Sequence, residues 1–478
     1  MPLPKPGNKA LFSNSLLIFI TRFFPALANL AVVIWYSRQL SQALYGNYQH
    51  FWIQLNVLCP LACLGIHVLI ITYPPAFVIS LLRNIKRKHY TLYVLWLFVI
   101  AGIFAFLQFQ VLNISLLIPF LFIICYTLAA ILESLLIVFS NYNVLVTINV
   151  IYSLAFFGIH WFVLNSRFSL QTIFSYLLTL TILRLCVYAG LAISNWQHYN
   201  NKNQEDEYEI SKVRSLWLHL GLYDITQVLS NFVDKFAISL VLSAQLSAIY
   251  FNGSQNIPFL PLLLGAAGSA ALIQLARGKN ENGSTDIIEL MNQMGRALSC
   301  IVFPIFLFLL FFREPLLITI FGIRYAPAIP VFAAAILILP VRAYHFTTVL
   351  QRMHKGHIIN IGAVSEFILG CLLMYPLYLL LGLPGVALSF VISTWLQALF
   401  YLLHSARLLH TSPLTLIPYA NWIAKLIVFS ILFIGIRYVS NVYFTGRIPL
   451  LLGSVAMVIM IGGSLYTEYK KQGKHGWS

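Results

Sequence analysis

Apolar residues run along this chain in blocks of about 20, with helical or unbroken periodicity and none of the alternation of a half-buried strand. That length matches a helix crossing a hydrocarbon core of about 30 Å. The blocks predict transmembrane helices at 12–36, 47–71, 91–110, 113–137, 142–164, 171–194, 215–242, 246–275, 287–312, 325–350, 357–381, 384–406, 416–438 and 447–467. The expected fold class is all-α and polytopic, with about fourteen transmembrane helices, and the periodicity excludes a β-barrel. The first block is longer than a signal-peptide core and has no small-residue cleavage site after it, so it is expected to be retained.

Composition agrees with a bilayer. Of 478 residues, 60% are hydrophobic and only 9% charged, which leaves too little polar surface to face water. The six cysteines all fall within predicted spans, where small apolar packing is the expected role.

The net charge of +16 changes the picture in two ways. With a cytoplasmic N-terminus, and with Arg437 and Arg447 at the span edges counted in the loop between them, seventeen Lys and Arg fall in inside segments, six in outside loops and six within spans. The cluster Arg83, Lys86, Arg87, Lys88 and the tail Lys470, Lys471, Lys474 dominate that bias, so both termini are expected in the cytoplasm. The basic residues are scattered, with no aromatic-interleaved module for a nucleic-acid strand. Anionic membrane lipids are the expected partner of the basic loops, and no nucleic acid is.

Ten charged residues interrupt the apolar blocks: Arg22, Glu133, Arg184, Asp224, Asp234, Lys235, Arg296, Arg342, Glu366 and Lys425. Each costs about 2.5 to 3.5 kcal/mol at a helix centre on insertion scales, so they are expected to line a hydrated interior or to pair with one another. Six are basic and four acidic, which suits an anionic ligand better than a cationic one, although long basic side chains also snorkel to an interface.

The longest polar interval, Asn195 to Arg214, carries Glu205, Asp206, Glu207 and Glu209 and reads as a cytoplasmic linker. Around it the pattern Leu40-Ser41-x-x-Leu44-x-x-x-Tyr48 recurs as Leu242-Ser243-x-x-Leu246-x-x-x-Tyr250, an offset of 202 residues that also places Arg22 on Asp224. The expected organisation is two six-helix lobes in a parallel pseudo-repeat: an N-lobe at 1–194, a linker at 195–214 and a C-lobe at 215–410. Helices thirteen and fourteen with a cytoplasmic tail, 411–478, lie outside the repeat.

Four stretches carry a likeness to a known family. They are Tyr45-Gly46-Asn47-Tyr48; Ser230-Asn231-Phe232-Val233-Asp234-Lys235 followed by Leu242-Ser243 and Tyr250; Phe321-Gly322-Ile323-Arg324-Tyr325-Ala326-Pro327-Ala328; and Gly382-Leu383-Pro384-Gly385-Val386-Ala387-Leu388. From roughly residue 10 to 410 the chain resembles the polysaccharide or O-antigen flippases of the multidrug/oligosaccharidyl-lipid/polysaccharide exporter superfamily. The resemblance implies two six-helix lobes around a central cavity and alternating access in a bacterial inner membrane. It implies a lipid-linked oligosaccharide of undecaprenyl-diphosphate type as substrate, polysaccharide-assembly proteins as partners, and no enzymatic step or cofactor.

Along the seventh span, Asp224, Gln227, Asn231, Asp234 and Lys235 fall within an arc of about 100°. The stripe reads as cavity lining or as a helix seam glued by hydrogen bonds. Asp234 matches the family's pattern and is a candidate for binding a coupling H+ or Na+, as is Glu366; pairing with Lys235 is the competing role for Asp234. On the first span Ser15, Arg22 and Asn29 share a face. A guanidinium offers phosphate oxygens a fixed fork of donors, so Arg22 suits a lipid diphosphate; a salt bridge to Asp224 is the alternative.

The eighth span has Asn252, Gln255 and Asn256 just before Pro258 and Pro261, a helix break that belongs against protein or water, with sugar hydroxyls or a gating hinge as its use. His50 and Gln54 on the second span and Arg296 and Arg342 further on complete the cavity candidates. Gly278 to Ser284 has phosphate-loop glycine spacing without the lysine and reads as a plain turn; His354 and His357 lack further metal ligands. The alternatives are a cation-coupled multidrug antiporter of the same superfamily and a membrane glycosyltransferase or polymerase, the latter disfavoured by outside loops of only about 4 to 14 residues.

Overall fold

The computed structural model describes residues 8–112, 114–166, 169–200, 210–255, 284–444 and 446–473, and every regular element among them is helical. Eleven helices are long and apolar enough to cross a membrane, and a twelfth crossing is formed by two helices that meet at a bend of 58°. The seventh predicted span is present as a helix of 32 residues, Ile210–Val241, too polar to join that set. Most of the eighth span, linker residues 201–209 and Gly278 to Gly283 lie outside the described residues. The chain is an all-α, multi-pass membrane protein.

By contacts it divides into two compact units, Met1–Ser247 and Ala248–Ser478. The first unit holds α1 (Asn8–Gln39), α2 (Gln42–Cys63), α3 (Ile66–Thr72), α4 (Pro75–Asn84), α5 (Arg87–Leu112), α6 (Leu117–Val138), α7 (Tyr142–Asn165), α8 (Leu170–Asn200) and α9 (Ile210–Val241). Helix α9 packs on α2 and α3, while α7 packs on α1 and α8 on α6. An aromatic core fills the centre of this unit. Phe51 stacks on Phe174 with centroids 3.9 Å apart, and Tyr48 OH meets His160 Nε2 at 2.8 Å.

The recurring sequence pattern is a recurring turn. Ser41 Oγ accepts the Leu44 N–H at 3.3 Å, and Ser243 Oγ accepts that of Leu246 at 3.4 Å. Before each serine the chain closes a helix, Leu40 N–H onto Tyr36 O and Leu242 N–H onto Ile238 O, both at 3.0 Å. After it Tyr48 and Tyr250 are fully buried. A serine caps the incoming helix because it supplies the acceptor that the first turn lacks. Gly46 is required beside the first turn, since a Cβ there would collide with the Ala244 carbonyl.

Two predicted spans are broken where the sequence read them as continuous. The second ends at Cys63, because Leu64 (φ 49°) and Gly65 (φ 69°) turn left-handed, and α3 leaves at the bend. The tenth, predicted at 325–350, is a 3-10 turn Ile323–Ala328, a short α-helix Ile329–Ala335 and a second 3-10 segment Ile336–Ala343. Pro327, Pro330 and Pro340 remove the amide donors that a continuous α-ladder needs. The predicted linker is partly helical, since α8 runs to Asn200 and α9 begins at Ile210.

In the second unit, Gly356–Leu381 and Leu383–Leu408 form a tight antiparallel hairpin through Gly382 (φ 66°). Gly362 and Gly370 let it close, with Tyr401 and Phe390 filling the space a Cβ would take. Tyr419–Tyr443 and Ile448–Gly473, the last two crossings, both pack on Ser284–Phe311.

Candidate functional site

The bend in the second crossing creates the site. Breaking a helix inside a membrane frees carbonyls that must find donors from protein or water. Here two indoles supply them: Trp96 Nε1 donates to Leu61 O at 2.9 Å, and Trp217 Nε1 to Leu64 O at 2.8 Å. Trp217 lies one turn before Gly221, whose backbone approaches Gly65 so closely that a Cβ at residue 65 would collide with it. The bend is therefore held against the first half of α9.

This contact brings two ionisable side chains together. His67, in the first turn of α3, places Nε2 3.4 Å from Asp224 Oδ2, and the two side chains are 24% and 23% exposed. Arg22 on α1 is exposed and lies within electrostatic reach of the His67 ring. The salt bridge to Asp224 that stood as the alternative role for Arg22 is not made among the described residues; Asp224 lies against His67 instead, because the bend carries the imidazole to that carboxylate. Asp224 Oδ2 and His67 Nδ1 make no hydrogen bond among the described residues.

Further along α9 the polar stripe divides. Asn231 is exposed and donates to Gln227 O at 2.8 Å. Asp234 and Lys235 are buried, with Lys235 Nζ 3.5 Å from Asp234 Oδ2 and above the Phe232 ring. Beyond them Gln108 on α5 donates to Gln54 Oε1 at 2.6 Å, and Gln54 Nε2 to Ser239 Oγ at 3.2 Å, a chain joining α5, α2 and α9. Gln54 is part of this interior seam, and His50, one turn before it, is buried. Asn29 is exposed on α1.

Two of the charged residues form a separate, closely paired cluster. Arg184 on α8 donates to Glu133 Oε2 on α6 at 2.7 Å and to Asn149 Oδ1 on α7 at 2.9 Å. It also donates to Tyr188 OH at 3.1 Å and lies 4.6 Å from the Tyr152 ring centroid. It ties three helices together.

The remaining candidates belong to the second unit. Asn252 is buried and Gln255 half-buried; the helix there stops at Gly253, and Asn256, Pro258 and Pro261 fall outside the described residues. Glu366 accepts from Thr394 Oγ1 at 2.6 Å, with Arg342 near enough to act on it electrostatically. The Arg296 side chain is exposed, while its carbonyl accepts from Lys425 Nζ at 2.7 Å. Lys425 also reaches Ser299 Oγ at 2.9 Å and Glu468 Oε1 at 3.3 Å, which fastens the last two crossings to the ninth.

His67 and Gln108 escaped sequence reasoning. Each is a single polar residue on an apolar face, and the only signal was the left-handed tendency of Gly65 two positions before His67.

No family model matches the sequence, and no curated protein matches it. Solved structures do. One, described as "Lipid II flippase MurJ, inward closed conformation", aligns at TM-score 0.63 and 15% identity over 96% of this chain and 99% of its own. An inward-facing multidrug resistance MATE family transporter of the MOP superfamily aligns at TM-score 0.53 and 14% identity over 82% of this chain and 98% of its own. A MOP superfamily transporter from Pyrococcus furiosus, described as having a binding pocket of reverse polarity, aligns at TM-score 0.52 and 13% identity over 83% of this chain and 94% of its own. The resemblance read from the four sequence stretches is matched at the level of fold: this chain has the fold of the MOP superfamily of transporters.

Proposed function

We propose that the protein is an alternating-access flippase. It would move a lipid-linked oligosaccharide of undecaprenyl-diphosphate type from the cytoplasmic to the outer leaflet of a bacterial inner membrane, for cell-surface polysaccharide synthesis. The observation that carries this reading is the bend of the second crossing, which sets His67 against Asp224 with the exposed Arg22 within electrostatic reach of the ring. A guanidinium and an imidazole offer the directed N–H donors that a diphosphate accepts. With both termini in the cytoplasm, α9 starts there, and the cluster lies in the cytoplasmic part of the crossings, where a substrate made inside the cell would enter.

The fold supports a transporter of this superfamily, and coverage favours the flippase branch. The flippase structure spans 96% of this chain, the multidrug resistance MATE family transporter 82% and the Pyrococcus furiosus transporter 83%, a shortfall close to the length of 411–478. Asp234 beside Lys235 and Glu366 under Thr394 are the carboxylates placed to take a coupling H+ or Na+. The exporter reading predicts instead that cations are the cargo.

The test is complementation. Arg22→Ala and Asp234→Ala are expected to reach the membrane at normal level and to leave the glycan inside, measured by surface glycan labelling of intact cells. Normal surface glycan in both variants rejects the site, and protection against cationic dyes on overexpression selects the antiporter.

A further inference from the structure

One member of the cluster has the wrong sign for an anion site. Asp224 puts a carboxylate oxygen 3.4 Å from His67 Nε2, with the Arg22 guanidinium within electrostatic reach of that ring. A carboxylate and a phosphate oxygen compete for the same N–H donors, because both are anionic acceptors. They cannot share those donors without like-charge repulsion at short range.

We infer that Asp224 is a resident counter-anion: its carboxylate holds the place at His67 that a diphosphate takes, and an entering diphosphate displaces it. The inference rests on the proposed anion site and adds its regulation. Three features of the structure support displacement. The contact is longer than a hydrogen bond of a charged pair, and Asp224 Oδ2 makes no hydrogen bond among the described residues. Both side chains are about a quarter exposed while Asp224 Oδ2 itself is buried, so a diphosphate gains His67 Nε2 only by moving the carboxylate aside. Elsewhere in the same unit, Glu133 meets its arginine at 2.7 Å, so this sequence builds a tight pair where one is needed. The weak pairing at Asp224 keeps an empty site electrically balanced and lets it release what it binds.

The experiment uses the purified full-length protein in phosphatidylcholine nanodiscs, with farnesyl diphosphate as the probe and calorimetry as the readout. Asp224→Asn is expected to lower the Kd about tenfold, within the usual range for competing charges. Arg22→Ala is expected to raise it about tenfold, and Asp224→Glu to leave it near the wild-type value. Nanodiscs containing phosphatidylglycerol show whether a lipid headgroup takes the same site, by weakening the apparent affinity for the probe.

A second measurement needs no variant. In the wild type, carbodiimide labelling of Asp224, read by peptide mass spectrometry, is expected to rise when farnesyl diphosphate is added. Protection of Asp224 by the probe, or an Asp224→Asn affinity equal to or weaker than wild type, overturns the counter-anion while leaving the anion site standing. Failure of the wild type to bind the probe overturns both. Binding of a cationic dye that Asp224→Asn abolishes assigns the carboxylate to the antiporter reading.

Discussion

Two of the charged clusters within the first unit are built to different standards. At Glu133 and Arg184 the pair closes to 2.7 Å, and an amide oxygen, a phenol and an aromatic face also meet the guanidinium. At His67 and Asp224 the pair stands at 3.4 Å and the facing carboxylate oxygen makes no hydrogen bond among the described residues. A charge removed from water is tolerated when every donor and acceptor is matched. The first cluster closes its ion pair and joins α6, α7 and α8, although Asn149 Nδ2 makes no hydrogen bond among the described residues; the second leaves the facing carboxylate oxygen open to something else. Charge inside a membrane therefore has two uses here, and the closeness of pairing tells them apart.

That comparison breaks most visibly at Arg184. Arg184→Ala leaves Glu133 unpaired and is expected to cost about 3 to 5 kcal/mol, seen as loss of the monodisperse peak and a fall in Tm in detergent. Adding Glu133→Leu is expected to recover much of that loss, because the orphaned carboxylate goes with it.

Gly65→Ala tests the bend itself. A Cβ there collides with Gly221 and sits at φ 69°, so about 1 to 3 kcal/mol of strain is expected, with α3 and α9 forced apart. Hydrogen exchange should rise in both helices, and unchanged protection would mean that the contact does not hold the bend.

A smaller effect is expected at Trp217→Phe, which leaves the Leu64 carbonyl without its indole donor at a cost of about 1 to 3 kcal/mol. The same substitution at Trp161, an exposed tryptophan, is the control and should leave Tm unchanged. Asp224→Asn closes the series, with less than about 1 kcal/mol expected in stability because the pair is partly exposed. A Tm drop as large as that of Arg184→Ala would place the two clusters in one structural class and remove the contrast.

The legible parts of the fold were those that local chemistry specifies. Apolar length marked the crossings, and the Leu-Ser-x-x-Leu pattern marked a turn that occurs twice with matching hydrogen bonds. Continuity was harder. Leu64 has no local reason to turn left-handed, and the carbonyls it frees are satisfied by tryptophans 35 and 153 positions away in sequence from their acceptors, which no window reveals: Trp96 reaches back to Leu61, and Trp217 to Leu64. The prolines of the tenth crossing were visible, yet whether they kink a helix or turn it into 3-10 segments depends on what packs beside them.

Of the candidate site, Arg22 and Asp224 were readable because a charge in an apolar block stands out. Their partner was not. His67 became part of the cluster only when the bend at Gly65 met Gly221 on α9.

The sequence by itself determined that this protein crosses a membrane many times and which charges it commits to the interior, because the cost of leaving water depends on each residue's own chemistry. Only the tertiary structure decided which of those charges are satisfied. Pairing is set by distances between helices far apart in the chain, and at Glu133 and Asp224 those distances came out differently.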